Sequence, residues 1–152
     1  KIHCCSPPTM EKHYMKKTKS KKEAIRWLIH AENDLEDARY NYEGNRFNIS
    51  CFLAQQSAEK MLKAYLYEKG ERTVWGHSVA DLVDDALKYD KSFKKLFSLA
   101  GPLDMYYIPT RYPDGLPKGI PSNAFLKEDA DKAIEKAEQI MEFIKARENF
   151  LK

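Results

Sequence analysis

Arg111 stands in the run Tyr106-Tyr107-Ile108-Pro109-Thr110-Arg111-Tyr112-Pro113-Asp114, where a guanidinium, three phenol rings and a carboxylate lie between prolines. Proline fixes φ and removes a backbone donor, so the segment stops a preceding helix and is locally stiff. Such a loop can hold a phosphate on the arginine and a base on an aromatic face. The chain has 20 lysines and 6 arginines, so an arginine here points to a need for planar, bidentate pairing. A phosphate meets that need. A carboxylate from Asp104, Asp114 or Glu59 meets it equally, and residue types alone leave both open. Tyr106, Tyr107 and Tyr112 either stack on a base or bury their rings and turn their hydroxyls to backbone partners. Tyr112 is the ring expected to stay outside.

Arg72 and His77, with four residues between them, form a second chemically meaningful pair. A histidine can act as general acid or base on a ribose 2′-OH while an arginine stabilises the charge of a phosphorane-like transition state. The plainer reading has His77 packing beside the cap of a helix that starts at Ser78. Lys60 and Lys63, with Glu59, fall away from most of the apolar stripe of their helix and read as a solvated face; a phosphate-facing Lys60 is the sharper alternative. No Cys/His set has ligand spacing, and there is no glycine-rich phosphate loop or Gly-x-Ser-x-Gly elbow, so no metal or cofactor is expected.

The elements that must position these residues are helical throughout. Ser20 and Glu23 have capping-box spacing, and Ile25, Leu28, Leu35, Ala38 and Tyr42 share one face, which predicts a helix from Ser20 to Glu43 stopped by an αL Gly44. A second helix is expected from Phe47 to Lys69, closed by Gly70, with Ala54 and Ala58 allowing close approach. The short link at Gly44–Arg46 makes these two an antiparallel hairpin. A third helix starts at Ser78, an N-cap with Asp81 three residues on. A fourth carries Phe93, Leu96, Phe97 and Ala100 and is kinked or interrupted at Gly101-Pro102. An irregular stretch from Ile108 to Leu126 has prolines at 109, 113, 117 and 121, and a last helix runs from Lys127 to Lys145. The sum is an all-α, up-and-down four- to five-helix bundle with a long proline-rich loop before the last helix. Residues 1–19 read as a basic flexible tail or an appended leader, and 20–152 as the bundle.

Length and composition agree with one helical domain. The 152 residues can bury a sizeable core, and 43% apolar with 32% charged residues is not a disordered profile. A net charge of +3 does not by itself argue for duplex nucleic acid. Cys4, Cys5 and Cys51 suggest no paired framework, and no apolar run approaches membrane-spanning length, so a cytoplasmic setting is expected.

The run Phe52-Leu53-Ala54-Gln55-Gln56-Ser57-Ala58-Glu59-Lys60-Met61-Leu62-Lys63-Ala64-Tyr65-Leu66, the segment Gly76-His77-Ser78-Val79-Ala80-Asp81-Leu82 and the motif ending Arg111-Tyr112-Pro113-Asp114 resemble, in that order, the HEPN family (higher eukaryote and prokaryote nucleotide-binding). The resemblance implies a helical bundle, commonly a homodimer, acting as the substrate-binding partner of a minimal nucleotidyltransferase, often in a toxin–antitoxin pair. Other branches are metal-independent ribonucleases that combine an arginine and a histidine a few residues apart. On this sequence that pair falls on Arg72 and His77, and Thr73 stands where the resemblance would place Asn, Asp or His after the arginine. The expectation is therefore a nucleotide- or RNA-binding module, not an enzyme on its own, with Arg111, Tyr112, Asp114, Tyr107, His77 and Lys60 around the ligand. A ribonuclease toxin using Arg72 and His77 is the first alternative. A purely structural interaction protein, with Arg111 as a loop anchor, is the other.

Overall fold

The computed structural model describes residues 8–151, with side chains from residue 18 onward. Of the tail or leader expected over residues 1–19, positions 1–7, Cys4 and Cys5 among them, lie outside these, and positions 8–19 belong to the first helix. Six α-helices follow one another: α1 (Pro8–Glu43), α2 (Phe47–Glu68), α3 (Val79–Ala86), α4 (Phe97–Asp104), α5 (Pro121–Ala124) and α6 (Lys127–Arg147). Two 3₁₀ segments, Lys91–Leu96 and Pro113–Gly115, lie between them. The described residues contain no strand.

α1 and α2 form the expected antiparallel hairpin, and three hydroxyls fix its register. Ser50 Oγ donates to Ala38 O and Ser57 Oγ to Ala31 O, both at 2.7 Å. Ser20 Oγ donates to Tyr67 O. Small residues at the seam (Ala31, Ala38, Ala54, Ala58) are buried, which lets the backbones come close enough for these bonds. Ser20 is therefore not an N-cap. α1 starts twelve residues earlier at Pro8, a residue suited to a first helical position, and the lysine-rich run after it contains good helix formers and no breaker. Ser20 lies inside the helix and spends its hydroxyl on the end of α2.

The stop after α1 also differs from expectation. Asn45, not Gly44, has the left-handed φ of 59°, and the amide of Arg46 returns to Asn41 O at 2.8 Å. Asparagine tolerates this region better than other side chains. Gly70 closes α2 as expected, at φ 100°.

α2 is the axis of the bundle and packs against α1, α3, α4, α5 and α6. Around it the core is apolar, with Met61, Leu62, Tyr65 and Leu66 meeting Phe93, Leu103, Ile140 and Ile144. Tyr65 and Phe93 have ring centroids 4.4 Å apart. α6 buries Ala130, Ala133, Ala137, Met141 and Ile144 as its periodicity requires, and Leu126 N donates to Asp129 Oδ2 at 2.8 Å at its start.

α3 begins as predicted, with Ser78 Oγ accepting from Asp81 N at 3.1 Å. α4 does not break at Gly101-Pro102; it continues through Pro102 to Asp104. The hydrogen bond that proline removes would have gone to the Ser98 carbonyl, and Ser98, Gly101 and Pro102 are all exposed, which leaves that carbonyl open to solvent. The following loop is a chain of turns. Arg111 N and Tyr112 N both donate to Ile108 O at 3.1 Å, and the Thr110 hydroxyl donates to Tyr106 O. A Cβ at Gly115 would sit 3.0 Å from Pro109 Cα, so this close approach needs glycine.

Candidate functional site

α2 and the two loops beside it build one continuous array. Asn48 Nδ2 donates to Thr110 O at 3.1 Å, which ties the turn carrying Arg111 to the start of α2. One turn further along α2, Phe52 meets the guanidinium, whose Cζ lies 4.4 Å from that ring centroid. The same carbon is 4.5 Å from the Tyr107 ring and 5.1 Å from the Tyr112 ring. Arg111 Nε donates to Tyr107 O at 2.9 Å. Among the described residues no carboxylate pairs with Arg111, and its two terminal amino groups make no hydrogen bond.

The three acids that could have taken this arginine are placed otherwise. Asp104 caps α3, accepting from Val79 N at 2.6 Å, Ala80 N at 3.0 Å and Ser78 Oγ at 2.9 Å. Asp114 is exposed and has no partner among the described residues. Glu59 faces the other half of the array.

His77 stacks on Tyr107, with centroids 5.1 Å apart and planes 16° from parallel. Its Nδ1 is 3.3 Å from Glu59 Oε1, and its carbonyl accepts from Gln55 Nε2 at 2.9 Å. Its side chain is 62% exposed, against 3% for that of Glu59. A buried carboxylate thus orients an imidazole whose far edge is open. Glu59 also accepts from Gln56 Nε2 at 2.9 Å and pairs with Lys63 Nζ at 3.1 Å.

The solvated-face reading of Glu59 and Lys63 is corrected here, since they are 2% and 5% exposed. His77 closes over one and Trp27 of α1 over the other, with Lys63 Nζ 5.0 Å from that indole. Lys60 turns away from the array to α1, where it bonds Asp34 and lies 3.1 Å from His30 Nε2. Arg72 makes no contact with His77 among the described residues; it lines a cavity of about 340 Å³ against α1. The structure therefore brings Arg111, Tyr107, Tyr112 and His77 together and sets Lys60 and Arg72 elsewhere. Asp114 follows Tyr112 at the rim.

Asn48, Phe52, Gln55 and Glu59 are the array residues whose part the residue types did not reveal. Two other reactive groups are silenced by burial, which pushes the Cys51 thiol and the Tyr106 phenol up to about 12. Among the described residues no three ligating side chains cluster as a metal site would require.

The family model of the HEPN domain matches residues 24–147. The chain belongs to the HEPN domain family. Among solved structures, this HEPN chain superposes on TT1696 from Thermus thermophilus with a TM-score of 0.78 and 34% identity, over 82% of this chain and 98% of that one. An archaeal HEPN homologue follows at a TM-score of 0.67 and 35% identity, covering 82% and 96% of the two chains. A Methanocaldococcus jannaschii protein named "Putative toxin MJ1304" is 31% identical over 135 residues, 83% of this chain and 86% of its own length. Among the described residues no helix is long and apolar enough to cross a membrane.

Proposed function

We propose that this HEPN chain is a nucleotide- or RNA-binding module, with a phosphate on Arg111, a base against Tyr112, and His77 at the edge. The observation that carries the reading is the state of the Arg111 guanidinium. Three rings surround it and one backbone carbonyl holds its Nε, yet no acid of the described residues neutralises it. An oriented, uncompensated guanidinium is a ready bidentate partner for a phosphate, and the half-exposed Tyr112 ring offers a stacking face beside it.

Family resemblance supports the rest of the reading: a homodimer in the cytoplasm, serving as substrate-binding partner of a minimal nucleotidyltransferase in a toxin–antitoxin-type pair. The name of the Methanocaldococcus relative fits that setting. Calorimetric titration of AMP, ATP and GTP tests the site. Arg111→Lys is expected to weaken binding roughly tenfold or more, because a bidentate charge-assisted contact is lost. Unchanged affinity in that variant removes Arg111 from the site.

One observation favours a second reading, metal-independent RNA cleavage. His77 is held by a buried carboxylate with its other nitrogen open, the arrangement a general acid or base needs. Cleavage of RNA in EDTA that disappears in His77→Ala supports it, although Arg72, the partner expected from spacing, lines a cavity against α1 and not the His77 array.

A further inference from the structure

We propose that the loop from Glu71 to His77 carries a second subsite, in which Trp75 stacks on a nucleobase and Arg72 with Lys19 receives a backbone phosphate. The ligand of this fold is then a single-stranded RNA segment, not only a mononucleotide. The inference rests on Arg111 being the phosphate-binding group and extends it along the surface.

The loop is fixed on both sides of the indole. Val74 is buried, and its N–H donates to the Tyr67 hydroxyl at 3.2 Å. Tyr67 is itself stacked on Trp27, with centroids 6.2 Å apart. On the other side His77 is held by Gln55 and by the Tyr107 ring. Between these anchors Gly76 takes φ 101°, a left-handed value that favours glycine. Trp75 is 82% exposed on this fixed backbone. With the backbone held, only the two side-chain torsions of the indole are left to order on stacking, and its exposed face is open to a base.

The charge beside it favours RNA over a protein partner. Lys19, Arg72, Glu23 and Glu71 line the same cavity. Both acids are engaged, Glu23 with Arg26 at 2.7 Å and Glu71 with the Tyr89 hydroxyl at 2.6 Å. Lys19 and Arg72 have no partner among the described residues. With Arg26 counted, three cations stand against two carboxylates, so the lining carries a small positive excess, and Lys19 and Arg72 are its unpartnered members. Arg111 and His77 both pack on the Tyr107 ring, and chain geometry limits the Cα atoms of His77 and Trp75 to about 7 Å apart, so the indole follows the Arg111 site by one short step of chain.

The test uses the full chain with AMP and with fluorescein-labelled octauridylate and octaadenylate. Wild type should bind the octamers more tightly than AMP. Trp75→Ala should weaken octamer binding roughly five- to 150-fold and leave AMP affinity unchanged, with Trp75→Phe restoring most of the loss. Lys19→Ala and Arg72→Ala should each reduce the slope of log K against log salt by about 0.7. Wild-type octamer affinity in Trp75→Ala overturns the inference. So does loss of self-association in that variant with octamer binding intact, which makes the ring a protein contact. If wild type binds AMP and the octamers equally, the second subsite fails alone. If it binds neither, the Arg111 reading fails with it.

Discussion

Replacing Glu59 by glutamine strands the Lys63 ammonium inside the bundle. The two side chains are 3% and 7% exposed and 3.1 Å apart. Breaking such a pair from one side costs about 3–5 kcal/mol, because the remaining charge stays buried. Two features place this case at the lower end. The Trp27 ring lies 5.0 Å from Lys63 Nζ and keeps up to about 2 kcal/mol of attraction, and a glutamine can still meet Gln56. The expected loss for Glu59→Gln is about 3 kcal/mol. Lys63→Met should cost less, about 2 kcal/mol, since Glu59 retains His77 and Gln56. The double variant Glu59→Leu/Lys63→Met removes both charges and should return to near wild-type stability. Urea unfolding followed by circular dichroism gives all three values, with unchanged m-values showing that only stability moved. Two single variants within about 0.5 kcal/mol of wild type would mean that water screens the pair, and the argument for Glu59 as a buried anchor fails. The stable double variant then isolates function: with no carboxylate behind His77, nucleotide affinity should fall although the fold persists.

Three further outcomes follow from the same contacts. Arg111→Ala should cost only about 1 kcal/mol in urea unfolding, since cation–π contacts and no acid are lost; a loss of 3–5 kcal/mol would reveal a buried ion pair and restore the anchor reading. Asp104→Ala removes the acceptor of two α3 amides and should cost about 2 kcal/mol, with faster hydrogen exchange at Val79 and Ala80; unchanged exchange there refutes the cap. Burial raises the Glu68 carboxyl above its ordinary value, and its Oε2 has no hydrogen-bond partner. A raised acid destabilises the fold once ionised, so this contribution worsens as pH climbs from the unfolded value through the folded one. Glu68→Gln should be more stable above that window by on the order of 1 kcal/mol, and equal to wild type in acid; melting temperature against pH decides it.

Periodicity made the scaffold legible because apolar stripes on α2 and α6 have few other ways to be buried. The Ser78 cap and the Gly70 stop were legible for local reasons: each depends on one backbone conformation and one side chain. Ser20 misled because capping-box spacing is equally compatible with a helix interior, and only the neighbouring end of α2 decides which use the hydroxyl finds. The interruption expected at Pro102 is absent because the cost of a lost hydrogen bond depends on whether water reaches the orphaned carbonyl. The burial of Glu59 and Lys63 was hidden by their charge, yet a signal existed. Asn48, Gln55, Gln56, Glu59 and Lys63 recur at helical spacing on α2, and a polar stripe on a helix packed against five others must find polar partners.

That stripe explains why the candidate site needs no dedicated framework of its own. Asn48 holds the Arg111 turn, Gln55 holds the His77 carbonyl, Phe52 backs the guanidinium and Glu59 backs the imidazole. Two loops far apart in sequence are thereby referenced to a single rigid rod, so their separation depends on α2 and little on loop stiffness. Tyr107 completes the link, with His77 stacked on its ring and Arg111 bonded to its carbonyl. Arg111 and His77 are thus positioned through one shared residue, so a substitution that displaces the Tyr107 ring reaches both groups at once.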